Sequence, residues 1–165
     1  MIGAEKELNR ITGEIVDAAY KLHLALGPGL MESVYERVLA RDLERRGFRA
    51  ARQVPISFEY DGLRFKDAFR IDLLIEDSIA VEIKSIDRVA LIHPKQLLTY
   101  LRLLQLPFGL LLNFGAPTLK EGIHRVANTR PSSAALRLCV NPNAKTSTRA
   151  DAGDRAPTGM PSPNT

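Results

Sequence analysis

Three ionisable residues in the middle of the chain combine in a pattern that could bind a divalent cation. Glu82 and Lys84 alternate with apolar residues in the segment 78–85, and Asp72 lies inside the apolar segment 71–75. Ionised side chains are costly to desolvate in strands this apolar unless they are paired or bind a metal. An acid-x-Lys triplet is weak evidence by itself, since about one is expected by chance in a chain of this composition. The alternative interpretation is a structural ion pair between Lys84 and one carboxylate.

The length of the turn between these two segments decides whether the acids can act together. A two-residue turn would place Asp72 opposite Val81, whereas a three-residue turn at Glu76-Asp77-Ser78 would place Asp72 opposite Glu82. We expect the second arrangement, or a compensating bulge, in which both acids and the lysine project from one face. Facing carboxylates about 5 Å apart repel unless a cation lies between them. Because Mg²⁺ is commonly bound by one or two carboxylates plus substrate phosphates, this geometry would outline a phosphodiesterase site.

The rest of the sequence predicts the elements that position these residues. Apolar spacing predicts helices at about 6–26, 30–46 and 93–105, and strands within 48–60, 63–75, 78–85, 108–114 and 122–127. Gly27-Pro28-Gly29 ends the first helix, because glycine fits the left-handed position past a helix and proline cannot continue the ladder. Asp61-Gly62 predicts a two-residue hairpin turn. This order predicts an α/β fold, with a mixed sheet of four to six strands between helices.

Two of the predicted helices carry further polar candidates. Glu32 lies in the first turn of the second helix, where the helix dipole favours a carboxylate that could reach over the sheet as another ligand. A plain first-turn acid is the alternative for Glu32. Gln96 and Tyr100 share one face of the third helix, and an edge of the core is the alternative for them. The apolar positions of the second helix predict its buried face: Val34, Tyr35, Val38, Leu39 and Leu43.

Composition predicts one globular domain followed by a tail of different character. Apolar residues make up 45% and charged residues 25% of the 165 residues, as in ordinary globular proteins. No apolar run approaches the roughly 18 residues of a membrane span, and the N-terminus is unlike a signal peptide. Cys139 is the single cysteine. We therefore expect a cytoplasmic protein. We divide the chain into a domain at 1–128 and a Pro/Ser/Ala-rich tail at 129–165, with disorder past about residue 140.

The positive net charge says little about the partners of the domain. Residues 1–128 carry 18 basic and 17 acidic side chains, whereas residues 129–165 carry 5 and 2, so most of the net charge of +4 belongs to the tail. Six arginines crowd into sixteen residues: Arg37, Arg41, Arg45, Arg46, Arg49 and Arg52. A solvated helix face is the favoured interpretation of this cluster, and a phosphate-tracking patch is the alternative.

Five motifs occur in a characteristic order over roughly residues 8–128. They are Gly27-Pro28-Gly29-Leu30-Met31-Glu32-Ser33-Val34-Tyr35, the Asp72 strand, Glu82-Ile83-Lys84, Gln96-Leu97-Leu98-Thr99-Tyr100 and Leu111-Leu112-Asn113-Phe114-Gly115. In this order they resemble the GxxExxY family of the PD-(D/E)xK nuclease superfamily, near its RecB-like exonuclease branch. The resemblance implies a restriction-endonuclease-like mixed β-sheet core flanked by helices. His93-Pro94-Lys95 departs from the expected His-Glu-Ala, which puts the start of the third helix in question.

The resemblance also implies roles for individual residues. The implied Mg²⁺ ligands, with Mn²⁺ as a substitute, are Glu32, Asp72, Glu82 and the Ile83 carbonyl. Lys84 would position the attacking water and stabilise charge that develops on the phosphate, and Gln96 would orient Lys84 or a phosphate oxygen. Metal-bound water is a stronger nucleophile near neutral pH, which agrees with these roles. The candidate nucleic-acid contacts are Tyr35, Arg70, His93 and Tyr100.

Three functions fit the sequence, and the first is favoured. The first is a Mg²⁺-dependent nuclease that acts on nucleic acid, with DNA favoured over RNA. The second is a catalytically silent nucleic-acid-binding or partner-binding module on the same fold. The third, a purely structural partner protein, fits the lack of a strong basic patch, and metal binding separates it from the others. The sequence leaves open the cleavage polarity, exonuclease or endonuclease action, base preference and oligomeric state, a homo-oligomer included.

Overall fold

A computed structural model describes residues 2–129 and 137–138 of the chain. The helices are α1 (Ile2–Leu26), α2 (Glu32–Arg45), α3 (Ile92–Leu104) and the short α4 (Leu119–Gly122). The strands are β1 (Ala50–Tyr60), β2 (Leu63–Ile75), β3 (Ile79–Lys84), β4 (Phe108–Asn113), β5 (Ile123–Ala127) and β6 (Arg137–Leu138). Cys139 and the disorder predicted past residue 140 lie outside the described residues.

The strands form one mixed sheet in the order β5-β4-β3-β2-β1-β6. β3 and β4 run parallel, with α3 connecting them, while each of the other neighbouring pairs is antiparallel. A parallel pair needs a crossover connection of this kind, whereas antiparallel pairs can be joined by short turns. The α/β class and the mixed sheet predicted from the order of elements are confirmed.

Apolar side chains on the two faces of the sheet build two separate cores. On one face, α1 and α2 pack against residues such as Val81 and Ile83 of β3. On the other face, α3 packs against Ala80 and Leu111. Because successive strand residues point to opposite faces, Glu82 and Lys84 project toward the α3 side. Helices therefore cover both faces, as the sequence predicted.

Two short turns set the register of the central strands. β1 pairs with β2 through Tyr60 and Leu63, so Asp61-Gly62 is the predicted two-residue turn, and both of its residues have positive φ as a type I′ turn requires. β2 pairs with β3 through Ile75 and Ile79, which leaves the three residues 76–78 in the turn. The three-residue turn expected from the sequence is confirmed.

The buried face of α2 differs from the prediction. Val34 and Val38 are 37% and 41% exposed, whereas Glu36 is only 4% exposed. The helix is rotated so that a carboxylate, rather than two valines, faces the sheet. Burial of Glu36 is tolerated because its oxygens accept hydrogen bonds from Arg52 and Gln53 on β1.

Two further features complete the framework around the sheet. α4 is a single helical turn before β5 that the sequence pattern did not predict. α3 begins at Ile92, one residue before the predicted start, so the Pro94 departure leaves this helix in place, as expected for a proline in a first helical turn. Within the described residues, no helix has the length and apolar composition needed to cross a membrane.

Candidate active site

The pairing between β2 and β3 stops where the two acids face each other. The last paired residues are Leu73 and Val81, and the same register places Asp72 opposite Glu82. The next backbone N–H on β3, that of Ile83, donates to Asp72 Oδ2 at 2.8 Å. A side-chain carboxylate thus takes the place of a main-chain partner at the point where the strands part.

β2 changes direction at Asp72. Ile71 and Leu73 are two residues apart, yet Ile71 packs into the α3 core and Leu73 into the α1–α2 core. In a regular strand these residues would share a face. Opposite Asp72 on β1, Gln53 has a φ of 51°, and the pairing of β1 with β2 is interrupted between Arg52–Leu73 and Val54–Ile71. The distortion in both strands brings Asp72 into the space between β2 and β3.

Glu82 and Lys84 form an ion pair on the α3 side of β3. Lys84 Nζ lies 2.7 Å from Glu82 Oε1, and the side chains are only 18% and 8% exposed, respectively. The second oxygen, Glu82 Oε2, is buried and has no hydrogen-bond partner among the described residues. The structural ion pair considered as an alternative is therefore present, but it satisfies only one oxygen of Glu82 and leaves the charge of Asp72 unmatched.

Glu32 reaches the end of β3 from the first turn of α2. Its Oε1 accepts a hydrogen bond of 3.2 Å from the backbone N–H of Ser85, the residue that follows Lys84. The Ser85 hydroxyl donates to the Leu30 carbonyl at 2.7 Å, which holds the helix start against the strand end. Glu32 is exposed, so its carboxylate faces the solvent side of the site.

Burial and mutual repulsion shift the ionisation of the two central acids. Burial raises the pKa of Glu82, and the nearby charge of Asp72 raises that pKa further, against the opposing effect of Lys84. Burial also raises the pKa of Asp72, while the Ile83 N–H and Lys84 lower it by a smaller amount. For Lys84, burial lowers the pKa, but the hydrogen bond and charge of Glu82 outweigh it, so the pKa is raised and the ammonium stays charged. A site that penalises carboxylate charge in this way is relieved by a bound cation.

The donor set of this site fits a hard divalent cation. Three carboxylates and one ammonium leave a formal charge of −2 at the end of β3. The buried, unsatisfied Glu82 Oε2 is an oxygen donor of the kind that Mg²⁺ and Mn²⁺ prefer. Across residues 2–129, no three His, Cys, Asp or Glu side chains are already gathered as a ligand cluster. Because these acids are not gathered, metal ligation would require the carboxylates of Glu32 and Glu82 to move toward Asp72, whose Oδ2 is held by the Ile83 N–H.

A chain of hydrogen bonds behind Asp72 was not anticipated from the sequence. Gln53 Nε2 donates to Asp72 Oδ1 at 3.2 Å and to Glu36 Oε2 at 2.6 Å. Arg52 Nε donates to Glu36 Oε1 at 2.8 Å. The signal that could have pointed to Glu36 is its position one turn after Glu32, on the helix face of Leu39 and Leu43, which was expected to be buried. Gln53 carries no comparable signal, because its contact depends on the distortion of β1.

Asn113 was part of a matching motif, but the sequence assigned it no role. Its Oδ1 accepts from the N–H groups of Ile86 and Gly115, and its Nδ2 donates to the Ile86 carbonyl at 2.8 Å. Asn113 also lies directly beside Lys84 in the parallel pairing of β3 with β4. Gly115 is required next to it, since an added Cβ would lie 2.5 Å from the backbone of Ile86. These buried hydrogen bonds hold the loop that follows β3 against the end of β4.

Tyr35 was predicted to contact nucleic acid, and its position contradicts that prediction. The side chain is 0% exposed and stacks on Phe114 with ring centroids 4.3 Å apart. Its hydroxyl donates to the Gly27 carbonyl at 2.6 Å and accepts from the Leu30 N–H at 3.2 Å. Tyr35 therefore braces the loop that sets the start of α2, and with it the position of Glu32.

The other residues predicted to act on or contact the substrate differ in their exposure. Tyr100 is a buried residue of α3, 8% exposed, and burial followed by the charge of Glu82 raises the pKa of its hydroxyl. Gln96 is exposed one turn earlier and has no hydrogen bond to Lys84 within the described part of the chain. Arg70 is exposed on β2 opposite Pro55, and His93 accepts a hydrogen bond from the Ala90 N–H. Their contacts with nucleic acid stay predictions.

Half of the arginine cluster serves to hold the fold together. Arg46 contacts Glu14, Asp17 and Asp42 at 2.7–2.9 Å and ties α1 to α2. Arg49 pairs with Asp77, and Arg52 pairs with Glu36. These arginines already have carboxylate partners, which favours structural pairing over phosphate tracking for this part of the cluster.

The mixed sheet flanked by helices and the acid pair at the end of an antiparallel ladder define a restriction-endonuclease-like α/β protein. A family model described as the PD-(D/E)XK nuclease superfamily matches residues 9–126. The match covers most of the 165 residues, and the chain belongs to this superfamily. Searches of curated proteins and of solved structures each found no match.

Proposed function

We propose that this chain is a metal-dependent nuclease that hydrolyses phosphodiester bonds of nucleic acid, with DNA favoured over RNA. The proposal places it in the GxxExxY family, near the RecB-like exonuclease branch. The observation that carries the proposal is the pair of facing acids, Asp72 and Glu82, at the point where β2 and β3 part. One buried oxygen of this pair has no protein partner among the described residues. Membership of a nuclease superfamily supports the same reaction class.

Mg²⁺, with Mn²⁺ as a substitute, would be held by the carboxylates of Asp72, Glu82 and Glu32 and by the Ile83 carbonyl. A bound divalent cation lowers the pKa of a water molecule and stabilises charge on a phosphate oxygen. The protein residues hold and orient the groups that would bind the cation. Asp72 is oriented by the Ile83 N–H, while Glu82 lies opposite Asp72 in the strand register and contacts Lys84.

Lys84 is proposed to act on the phosphate, for which its ion pair with Glu82 would have to open. Its ammonium is 2.7 Å from Glu82 Oε1 and is kept charged by the surrounding acids. In that position it can orient the attacking water and stabilise negative charge that develops on the phosphate in the transition state. Gln96, exposed on α3, is proposed to hold a phosphate oxygen or Lys84 after substrate binding.

A catalytically silent nucleic-acid-binding or partner-binding module is the second candidate function. The Lys84–Glu82 ion pair favours it, because this contact alone would stabilise the two charges without any reaction. Metal binding and turnover separate the two candidates. Residues that the sequence proposed for nucleic-acid contact, Arg70 and His93, would serve either function.

The test combines metal titration with cleavage assays on the full chain. Mn²⁺ binding is measured by calorimetry after removal of metal with EDTA. Supercoiled plasmid, linear duplex, single-stranded DNA and RNA are then incubated with Mg²⁺ or Mn²⁺, using Lys84→Ala as the inactive variant and Lys95→Ala, an exposed lysine of α3, as the matched control. Cleavage by the wild type and by Lys95→Ala, with loss in Lys84→Ala, supports the nuclease. Metal binding without cleavage of any substrate would favour the silent module, and the absence of metal binding would reject the nuclease.

A further inference from the structure

We infer that Gln53, anchored by Glu36, is a positioning residue that orients the Asp72 carboxylate toward the metal without neutralising its charge. The inference rests on the proposed function, because it concerns the same site. It assigns a role to two residues that lie outside the proposed ligand set. Neither was expected to take part in the site from the sequence.

The geometry of the Gln53 amide is the first argument. Its single Nε2 atom carries two N–H groups, and the structure uses both: one points to Glu36 Oε2 at 2.6 Å and the other to Asp72 Oδ1 at 3.2 Å. The opposite oxygen of Asp72 accepts from the Ile83 N–H at 2.8 Å. Each oxygen of Asp72 is thus held by one donor and retains a lone pair for a cation.

The distribution of charge is the second argument. Glu36 is 4% exposed, and the pairing of its Oε1 with Arg52 at 2.8 Å offsets part of its negative charge. The remaining charge raises the pKa of Asp72. Of the three residues Arg52, Glu36 and Gln53, only Gln53 contacts Asp72, and it does so through a neutral amide. A cationic side chain in this place would compete with the metal for Asp72, whereas an amide orients the carboxylate and leaves its charge available.

The backbone of Gln53 is the third argument. Its φ of 51° lies in the left-handed region, which is unfavourable for a residue with a side chain, and it interrupts the pairing of β1 with β2 opposite Asp72. In a regular strand conformation, the Gln53 side chain would point in a different direction. The conformation that costs stability is therefore the one that brings the amide between two carboxylates.

The variant Gln53→Gly tests the role directly. Glycine adopts the left-handed conformation without strain, so this change removes the amide and keeps the backbone. Gln105→Gly is a matched control, because Gln105 also has a left-handed φ of 56° but is an exposed residue at the end of α3. Changes to residues behind metal ligands typically weaken metal binding by about 10–100-fold. We expect Gln53→Gly to weaken Mn²⁺ binding at least about tenfold, and Gln105→Gly to leave it unchanged.

Two Glu36 variants show whether Glu36 acts through Gln53. Glu36→Gln keeps an oxygen that can accept from the Gln53 amide and should retain Mn²⁺ affinity close to that of the wild type. Glu36→Ala removes the anchor and should weaken binding, and the double variant Gln53→Gly/Glu36→Ala should bind no more weakly than Gln53→Gly alone. If Glu36 were itself a metal ligand, Glu36→Gln would lose affinity and the double variant would be weaker than either single variant, which would overturn the inference.

Folding is checked separately, by circular dichroism and thermal unfolding of each variant in EDTA. If Gln53→Gly does not fold, the Mn²⁺ affinities of Glu36→Gln and Glu36→Ala are compared instead. Equal affinities overturn the inference, whereas a higher affinity of Glu36→Gln supports it. A wild type that binds no Mn²⁺ refutes the proposed function itself. A wild type that binds Mn²⁺, together with folded Gln53 and Glu36 variants that bind equally well, refutes only the positioning role.

Discussion

The Asp72 carboxylate accepts a hydrogen bond of 2.8 Å from the backbone N–H of Ile83, on the neighbouring strand. In an uninterrupted antiparallel ladder that N–H would bond to a main-chain carbonyl. The side chain replaces the carbonyl, so β2 and β3 part while the Ile83 N–H keeps a hydrogen-bond partner. The contact also fixes one oxygen of the proposed metal ligand within the plane of the sheet. It explains how an acid in the apolar segment 71–75 is both half-buried and accessible to a cation.

The variant Asp72→Asn should separate metal binding from folding. The amide oxygen of asparagine can still accept from the Ile83 N–H, whereas alanine would leave that donor without its partner. We expect Mn²⁺ affinity to fall at least about tenfold, since even residues behind the ligands contribute that much. Thermal stability in EDTA should stay close to that of the wild type, because removal of a desolvated charge near Glu82 offsets the lost hydrogen bond from Gln53. Asp87→Asn, in the exposed loop after β3, serves as the control; a matching loss of affinity there would refute the assignment.

Lys84→Ala should abolish cleavage and leave metal binding in place. Loss of one donor that stabilises transition-state charge costs about 10²–10³ in rate. Lys84 pairs with Glu82 in the metal-free site, so removal of the lysine frees Glu82 to bind a cation. In the absence of metal, the same change leaves the buried charge of Glu82 unpaired. The variant should therefore be less stable than the wild type in EDTA, and Mn²⁺ should raise its thermal midpoint more. Single-turnover cleavage and thermal unfolding with and without Mn²⁺ measure both effects. Residual activity within tenfold of the wild type would exclude the proposed role.

The raised pKa of Glu82 predicts how the stability of the metal-free protein depends on pH. Below its ordinary pKa of 4.5, Glu82 is protonated in both the folded and unfolded states and contributes no pH dependence. Above that value the unfolded chain loses the proton first, while the folded chain retains it until the raised pKa is reached. The folded state then binds more protons, so its free energy of unfolding decreases with rising pH through this window.

Glu82→Gln isolates this contribution. Urea unfolding in EDTA from about pH 4 to about pH 7 should show that the stability of the wild type, relative to Glu82→Gln, declines as the pH rises. Saturating Mn²⁺ should remove the decline, because a bound cation stabilises the ionised form. A difference that stays constant or increases with pH would contradict the assigned direction of the pKa shift.

Tyr35→Phe should lower the stability of the protein. The variant keeps the stacking on Phe114 but loses the hydroxyl that links Gly27 to Leu30. Loss of these bonds in a buried site should lower the free energy of unfolding by about 1–2 kcal/mol. Tyr20→Phe, on an exposed part of α1, should have no effect and controls for the substitution. An unchanged stability with weaker DNA binding would restore the nucleic-acid contact first predicted for Tyr35.

The sequence by itself determined the order and type of nearly every element. Helical apolar spacing, Gly27-Pro28-Gly29 and Asp61-Gly62 are local signals, and local propensity decides where a helix ends or a hairpin turns. The alternation of apolar residues in β3 also determined that Glu82 and Lys84 share a face. The register with β2 could be stated as two alternatives, and counting the residues of one turn separated them.

Only the tertiary structure decided which polar side chains surround Asp72. The rotation of α2 that buries Glu36 and exposes Val34 depends on partners that β1 supplies, and a helical pattern does not contain that information. The left-handed backbone at Gln53 follows from the meeting of two distorted strands, against its own local preference. Tyr35 illustrates the same limit, because its type suits both a stacking contact and a buried brace. The sequence specifies the chemical type of each residue. Long-range packing determines which residues contact it, and those contacts define the site.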